Sequence, residues 1–289
     1  MPPHEPHTRA RQLAPVGVFD SGVGGLTVLK ALRARLPRES FVYLGDTARL
    51  PYGTKSPETV ARYCLQAAEA LAEYGVKCLV IACNTASSVG LPAIREHLEE
   101  LPVIGVIEPG AQAACTASRS GQIAVIATEG TVRGGAYQHA ILRLRPDASV
   151  KAEPAPLLVA LAEEGLNEGP IANSIAMHYL KPVFAPSGKG TPVPDTLVLG
   201  CTHFPMLAAA IRAAVGPNVQ IVDSAATTAA SVDAQLHQTG LARAAEADAG
   251  TDGGAVRFLA TDGRERFARI GSRFLERQIT AEEVELVDL

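Results

Sequence analysis

The sequence has little of what marks a secreted, disordered or nucleic-acid-binding protein. Its 289 residues include five cysteines, an odd number with no CxxC pair, so at least one thiol is free and a disulfide framework is not expected. Lys and Arg number 26 against 30 Asp and Glu, which excludes the cationic excess of a nucleic-acid binder. Only 19% of the residues are charged and 47% are apolar, so the chain is not a disordered polyelectrolyte.

No segment has the apolar length of a membrane span. The longest uncharged run, residues 78–94, is interrupted by Asn84, Thr85 and Pro92. Residues 1–16 carry Pro, His and Arg without a continuous apolar core, which argues against a secretory signal. We therefore predict a cytoplasmic protein that binds neither membranes nor nucleic acids.

Short apolar runs alternate with helical stretches along the chain. Each run ends in small or polar residues, as strands do when both faces of a parallel sheet are buried. The alternation predicts a doubly wound α/β fold, with helices that include residues 26–36, 57–74 and 206–214. The predicted strands are residues 16–19, 41–44, 78–82, 103–106, 123–127, 196–199, 219–222 and 256–260.

Two of the strand ends look alike, and this likeness suggests how the chain is organised. CLVIACNT at residues 78–85 and TLVLGCTH at residues 196–203 both lead from a strand into Cys and polar residues. In parallel sheets the chemistry lies at the carboxyl ends of the strands. We interpret the pair as evidence for two related α/β halves that face each other.

The length of the chain allows one large or two ordinary domains. We place the boundary at a turn formed by Glu108-Pro109-Gly110, with a return crossing near Asp223. The first domain would then be discontinuous, with residues 1–107 and 223–289, and the second would hold residues 108–222. A Pro/Gly-rich segment, residues 185–195, is predicted to be a loop, either a lid or a tolerated insertion.

The glycine-rich segment DSGVGGLT at residues 20–27 has three interpretations. A dinucleotide site is disfavoured because Thr27 stands where the fingerprint requires glycine, and Asp20 points into the space of a pyrophosphate. A tight turn that needs positive φ is the structural alternative. The third is a small anion cradle, in which Ser21 and N–H groups at the helix start hold a carboxylate.

Two of the five cysteines are candidates for catalysis. Cys83 and Cys201 each follow a strand among hydrogen-bonding residues, whereas Cys64, Cys78 and Cys115 lie among apolar residues and are interpreted as core. A thiol with an ordinary pKa of about 8.5 becomes a base near neutral pH only if its neighbours favour the thiolate. Two thiols on facing halves could remove a proton from one face of a carbon and return one to the other. That reaction inverts a stereocentre and needs no redox cofactor.

Two other interpretations of these cysteines stay open. Cys201 and His203 offer sulfur and nitrogen ligands for a metal, but no second cluster has the spacing of a zinc site, and we predict no metal and no other cofactor. In the second alternative the protein is a non-catalytic α/β binding module with both cysteines merely buried. The polar residues that follow both cysteines favour the enzyme.

Five motifs in order resemble those of the glutamate racemases. They are FDSGVGGL at 19–26, GDT at 45–47 with PYG at 51–53, ACNTAS at 82–87, GVIEPG at 105–110 and LGCTHFP at 199–205. The likeness extends from about residue 16 to residue 223. It implies two doubly wound, mainly parallel-sheet α/β domains related by pseudo-symmetry, with the active site in the cleft between them, and commonly a homodimer.

The resemblance also implies an activity and a set of site residues. The enzyme would be a cofactor-independent isomerase that interconverts L- and D-glutamate and supplies D-glutamate for peptidoglycan. Cys83 and Cys201 would be the two proton donors and acceptors, with Asp20 assisting the first and His203 the second. Substrate contacts would come from Asp20, Ser21, Tyr52, Gly53, Asn84, Thr85, Thr202 and His203.

A further carboxylate and the choice of substrate are less directly indicated. The family has a Glu after an apolar stretch of the second domain, where this chain has Glu163 and Glu164, and we assign Glu163 to the catalytic set. The chain departs from the family pattern at Ala155, where many members have Cys, and at Glu129-Gly130, which bears on contacts from Thr131. A racemase of the same superfamily acting on aspartate or a related acid is the alternative, because one methylene is distinguished by pocket depth.

Overall fold

The structure is a computed structural model, and it describes residues 5–186, 188, 192–244 and 254–289. Parts of the predicted loop 185–195, namely residues 187 and 189–191, lie outside the described residues. The strands are β1 (Val16–Asp20), β2 (Phe41–Gly45), β3 (Cys78–Ile81), β4 (Val103–Gly105), β5 (Gln122–Ala127), β6 (Ser149–Pro154), β7 (Thr196–Gly200), β8 (Gln220–Asp223), β9 (Val256–Ala260) and β10 (Val284–Leu286).

Helices connect most of these strands. They are α1 (Glu5–Leu13), α2 (Leu26–Arg35), α3 (Pro57–Glu73), α4 (Asn84–Val89), α5 (Leu91–His97), α6 (Ile107–Ala117), α7 (Glu129–Gly134), α8 (Ala136–Leu144), α9 (Pro156–Glu164), α10 (Pro170–Phe184), α11 (Ala208–Val215), α12 (Ser224–Gln238) and α13 (Arg264–Leu275). Short 3₁₀ helices occupy Tyr52–Thr54, Phe204–Leu207 and Ala281–Glu283. Among the described residues, no helix is long and apolar enough to cross a membrane.

The strands form two parallel sheets with a shared pattern. The first has the order β10-β9-β2-β1-β3-β4 and the second the order β6-β5-β7-β8. Four strands of the first sheet, β2-β1-β3-β4, therefore repeat the order of the second, with β3 corresponding to β7. All neighbouring strands run parallel, so the prediction of a doubly wound α/β fold is confirmed.

All eight predicted strands are present, but β6 and β10 were not predicted. Both are edge strands, and their sequences, SVKAEP and VEL, contain charged residues instead of a continuous apolar run. Edge strands are exposed on one side, so they tolerate such residues and lose the signal that marks a buried strand.

The two sheets share an apolar core. Strands β1, β2, β3 and β7 consist of buried residues throughout, and α2 packs against α12. Val18 of the first sheet belongs to the same apolar cluster as Ile126 and Leu199 of the second. One apolar cluster thus joins the two sheets.

The expected boundary turn at Glu108-Pro109-Gly110 is wrong, because these residues form the first turn of α6. Proline is tolerated there because N–H groups of a first turn have no acceptor within the helix. Strands of the first sheet come from residues 16–105 and 256–286, and those of the second from residues 122–223. On this distribution we propose that the domains are residues 1–107 with 223–289, and residues 108–222.

A buried ion pair attaches the N-terminal segment to the first sheet. Lys77 Nζ lies 2.5 Å from Glu39 Oε2, and their side chains are 0% and 3% exposed. Lys77 Nζ also donates to the carbonyl oxygen of Gln12 in α1, and Glu39 accepts the backbone N–H of Arg243. Burial lowers the pKa of the Lys77 ammonium, so the group depends on Glu39 to stay charged.

We expect Lys77→Met to lower the free energy of unfolding by about 3 kcal/mol, because it leaves the Glu39 carboxylate buried without its cation. Urea unfolding measures this change. The double variant Lys77→Met with Glu39→Gln removes the uncompensated charge and should regain part of the loss. A single variant as stable as the original chain would contradict the assignment.

Candidate active site

A pocket at the carboxyl ends of both sheets brings the predicted site residues together. Ser21, Tyr52, Gly53, Asn84 and Thr85 line it from the first sheet's side of the chain, and Glu163, Cys201, Thr202 and His203 from the second, with Cys83 also in its wall. Asp20 is buried beside the pocket, and its Oδ2 accepts the N–H of Gly22 at 2.9 Å. Gly22, Leu50, Pro51, Thr128 and Val159 complete the lining.

Cys83 and Cys201 occupy corresponding places in the two sheets. Cys83 lies just beyond β3 and caps α4, where its Sγ accepts the N–H of Ala86 at 3.4 Å. Cys201 follows β7 directly. Both thiols line the same pocket, and β3 and β7 hold corresponding positions in the strand order of their sheets.

The surroundings of the two thiols differ. Cys83 Sγ lies 3.4 Å from Ser21 Oγ, and burial together with the nearby Asp20 raises the pKa of the Cys83 thiol to about 12. Cys201 Sγ lies 3.7 Å from Nδ1 of His203. One thiol therefore adjoins a carboxylate and the other an imidazole.

His203 lies between the Cys201 thiol and the Glu163 carboxylate. Its Nε2 lies 3.2 Å from Glu163 Oε1, and the ring of Phe274 packs edge-on against it with centroids 5.2 Å apart. Burial lowers the pKa of His203, but the hydrogen bonds with Cys201 and Glu163 outweigh burial and raise it to about 10. The imidazole is therefore protonated at neutral pH, next to the Cys201 sulfur.

Glu163 is the carboxylate that the structure brings to this histidine, and Glu164 is not. The hydrogen bond from His203 lowers the pKa of Glu163, and the nearby Arg266 also lowers it. Asp20 responds differently: burial raises the pKa of its carboxyl, although the charge of His203 acts in the opposite direction.

The glycines after β1 allow the two halves to touch. A Cβ on Gly24 would lie 2.3 Å from Thr202 Oγ1 and 2.4 Å from the ring of His203. A Cβ on Gly25 would lie 2.5 Å from that of Asp20. Gly25 has φ −60°, and Gly22 and Gly24 are not among the positive-φ glycines, so the interpretation as a positive-φ turn is wrong. These glycines are needed for close approach.

A buried carboxylate fixes the loop that carries Tyr52 and Gly53. Asp46 accepts hydrogen bonds from the hydroxyl of Tyr52, from Arg49 Nε and, at 2.9 Å, from Thr261 Oγ1. Gly53 comes close to the second half, because a Cβ there would lie 2.8 Å from that of Thr128. Tyr52 thus binds Asp46 through its hydroxyl group and also lines the pocket.

Asn84, Thr85 and Thr128 line the pocket near α4 and α7, and the buried Thr131 contacts the two threonines from outside the lining. The Oγ1 atoms of Thr85, Thr128 and Thr131 lie 2.9 to 3.2 Å apart and form a cluster. Asn84 Oδ1 accepts the hydroxyl of Tyr137 at 2.8 Å. Asn84 Nδ2 and Asp20 Oδ1 are buried and have no partner among the described residues, so a polar ligand could satisfy both.

Thr128 and Arg266 are not among the site residues predicted from the sequence. The sequence does carry a signal for Thr128, because it follows β5 directly and parallel sheets place their chemistry at strand ends. Arg266 lies in α13, far along the chain from the motifs, and no local pattern marks it. Among the described residues, no group of three or more His, Cys, Asp or Glu side chains could hold a metal ion.

The fold and the pocket define a two-sheet α/β protein in which two thiols with unlike partners share one site. The model of the Asp/Glu/Hydantoin racemase family matches residues 26–232. The glutamate racemase of Geobacter metallireducens is 47% identical over 260 residues, covering 90% of this chain and 92% of that protein. That of Neisseria meningitidis serogroup A is 46% identical over 275 residues, covering 95% and 97%.

Solved structures agree with these sequence relatives. The glutamate racemase of Francisella tularensis, in complex with D-glutamate, superposes with a TM-score of 0.84 at 32% identity and covers 96% of this chain and 98% of that one. The chain belongs to the Asp/Glu/Hydantoin racemase family and, within it, to the glutamate racemases. It is an isomerase, and the resemblance noted in the sequence is confirmed.

We expect Glu163→Gln to lower the pKa of His203, because the variant removes the anion that favours the protonated ring. Titration of the His203 ring resonances by NMR measures the shift. The neighbouring variant Glu164→Gln is the matched control and should leave the titration unchanged. Equal shifts in both variants would show that Glu163 has no specific effect on His203.

Proposed function

We propose that this chain interconverts L- and D-glutamate by a two-base mechanism in which Cys83 and Cys201 exchange protons with opposite faces of the α-carbon. The observation that supports this proposal most directly is the placement of two thiols, from corresponding strands of two sheets, in the wall of one pocket. A single base held on one face of a bound substrate could not both remove a proton from that face and return one to the opposite face. The polar groups around the thiols suit a small dicarboxylic amino acid.

The reaction needs only proton transfers. One cysteine, as a thiolate, takes the α-proton and becomes a thiol, and the C–H electron pair stays on the substrate as a carboxylate-stabilised carbanion. The other cysteine, as a thiol, donates its proton to the opposite face and becomes a thiolate. No electrons leave the substrate, so the step requires no redox cofactor.

The site addresses the weak acidity of the α-proton with fixed dipoles. Donors such as the amide of Asn84 and the hydroxyl of Thr202 can bind the charge that develops on the α-carboxylate. The unpartnered Nδ2 of Asn84 and Oδ1 of Asp20 offer one donor and one acceptor to a zwitterionic substrate. These groups are buried, and a low local dielectric strengthens such interactions.

The two halves suit the two stages of one turnover. Cys83, with a pKa of about 12, holds its proton at neutral pH, and the charge of Asp20 acts on this thiol. Next to Cys201, protonated His203 can stabilise a thiolate or supply a proton through Nδ1. We therefore assign Asp20 to the first thiol and His203, with Glu163, to the second.

We assign the distal carboxylate of the substrate to the hydroxyl cluster of Thr85, Thr128 and Thr131. Ser21, Tyr52, Gly53 and Thr202 complete the substrate-binding set. Aspartate is one methylene shorter, so its carboxylate would reach the cluster less well. The structure of the Francisella tularensis relative contains D-glutamate, which also favours glutamate.

We further propose the cellular setting that the family suggests. The protein would work in the cytoplasm, supply D-glutamate for peptidoglycan synthesis and so contribute to cell-wall biogenesis and cell shape. We also propose that the protein forms a homodimer. Light scattering measures the mass in solution and so tests this proposal.

Removing either thiol is expected to abolish racemisation, with a fall of at least about 10³-fold, because one face of the α-carbon loses its base. Each enantiomer of glutamate and aspartate is incubated in deuterated water without added cofactor, and α-deuterium and optical rotation are followed. Each variant keeps one thiol, so at most it should exchange the α-hydrogen of one enantiomer for deuterium without inverting it. The enantiomer that Cys83→Ala exchanges should be the opposite of the one that Cys201→Ala exchanges.

Cys115→Ala, which lies outside the pocket, is the matched control and should racemise glutamate normally. Near-normal turnover of either site variant would contradict the two-base assignment. Exchange of aspartate alone by the original chain would move the substrate from glutamate to aspartate.

Asp20→Asn is expected to lower kcat more than it raises KM, because the carboxylate acts on the proton of Cys83 during the reaction. Steady-state kinetics with both enantiomers measure the split. A variant with normal kcat and a raised KM would instead make Asp20 a residue that only binds substrate.

A further inference from the structure

Helix α13 reaches the acid–base residues of the second thiol from the opposite half of the molecule. It packs against α2 and β10, which belong with the first sheet, whereas Glu163 stands in the last turn of α9, the helix that follows β6 of the second sheet. Arg266 Nη2 donates to Glu163 Oε2 at 2.8 Å, and Arg273 Nη2 donates to the backbone oxygen of Glu163 at 2.8 Å. Both oxygens of the Glu163 carboxylate are therefore bound, one by His203 and one by Arg266.

The sequence of α13 places these contacts on one face. Arg266, Arg273 and Phe274 stand at positions i, i+7 and i+8, which lie on the same side of an α-helix. Phe274 packs against the ring of His203, so a single helix face touches both members of the His203–Glu163 pair. The contact is continuous from the helix to the imidazole next to Cys201.

The end of α9 is shaped to receive Arg273. Gly165 follows the helix with φ +77°, and a Cβ there would lie 2.0 Å from Nη1 of Arg273. Glycine at this position thus both permits the left-handed cap and leaves space for the guanidinium. An arginine that binds a carbonyl at a helix C-terminus also interacts favourably with the helix dipole.

We propose that Arg266 and Arg273 are positioning residues for the racemase reaction, which hold Glu163 and, through it, set the orientation and charge of His203 beside Cys201. The inference rests on the proposed two-thiol function and deepens it. Arg266 is not in the lining of the substrate pocket, so it acts on the second thiol through Glu163 and His203. The hydrogen bonds of Cys83 are with Ser21 and Ala86 and not with His203, so the effect falls mainly on the second thiol.

This asymmetry has a measurable form. L- and D-glutamate have equal free energies, so kcat/KM must be equal in the two directions for the original enzyme and for every variant. Isotope effects are not bound by this equality. Suppose that proton transfer between Cys201 and the α-carbon is slowed. In the direction in which Cys201 removes the proton, the kinetic isotope effect of α-deuterated substrate grows. In the opposite direction that isotope effect shrinks, and the solvent deuterium isotope effect grows instead, because Cys201 then donates a proton that came from solvent.

The variants are Arg266→Gln, Arg266→Lys and Arg273→Gln, with Arg269→Gln as control because Arg269 is an exposed residue of the same helix. For Arg266→Gln we expect about a fivefold fall in kcat with KM little changed. A fall of this size is at the upper end of what the loss of a half-exposed ion pair produces. The isotope effects should change in opposite senses in the two directions. Arg273→Gln should change the isotope effect of each direction in the same sense as Arg266→Gln does. Arg266→Lys should have a higher kcat than Arg266→Gln, because it keeps the positive charge.

A second readout does not depend on activity. The Arg266 cation lowers the pKa of the Glu163 carboxyl, so Arg266→Gln should raise it, and carbon-13 NMR of the labelled carboxyl measures the shift. Arg266→Lys keeps the charge and should keep most of the lowering. Urea unfolding of all variants shows whether each change is confined to the site.

Equal changes of the isotope effects in both directions, or a fall in kcat that follows only a loss of stability, would overturn the proposal. So would an Arg266→Gln enzyme with normal kcat and an unchanged pKa of Glu163. If the original chain does not exchange the α-hydrogen of glutamate at all, the proposed function fails. The NMR titration then still tests the link between Arg266 and Glu163.

Discussion

The close approach of the loop after β1 to the strand end after β7 is the contact on which the site depends. Gly24 lies against Thr202 and His203, where even a Cβ atom would not fit. Thr27 Oγ1 donates to the carbonyl oxygen of Thr202 at 2.9 Å. This contact joins the two sheets at their carboxyl ends. It places Asp20 within the electrostatic influence of His203, and both cysteines in the wall of one pocket.

The repeated strand order explains how two unlike environments arise around two like groups. Cys83 and Cys201 follow corresponding strands, so the backbone presents both sulfurs to the same space. The neighbours come from elsewhere: Asp20 ends β1 of the first sheet, whereas Glu163 comes from α9 beside the second. Burial then keeps the Cys83 thiol protonated, and ion pairing keeps His203 charged, so the surroundings of the two thiols differ in charge although four strands of each sheet share one order. Each turnover needs one thiolate and one thiol, and the two surroundings act differently on the two groups.

Most of the site was visible in the sequence because parallel sheets put function at strand ends. The two cysteines, Asp20 and His203 all stand at or just after apolar runs, and the structure brings them together. Glu163 could not be separated from Glu164 by sequence, because both stand in the last turn of α9 and only the packing of that helix decides which one meets the imidazole. The edge strand β6 was missed because exposure removes the apolar pattern that marks a buried strand.

The sequence by itself determined the class of fold, the family and the residues available for proton transfer, because local apolar periodicity and short motifs record these directly. The tertiary structure decided which groups set the charge of those residues. It corrected the boundary turn at Glu108, showed that the glycines after β1 serve close approach instead of positive φ, and brought Arg266 and Arg273 to Glu163. The contacts of Arg266 and Arg273 with Glu163 join residues more than a hundred positions apart in the chain, where no local pattern connects them. The strength of each charge interaction depends on distance and burial, which only folding creates.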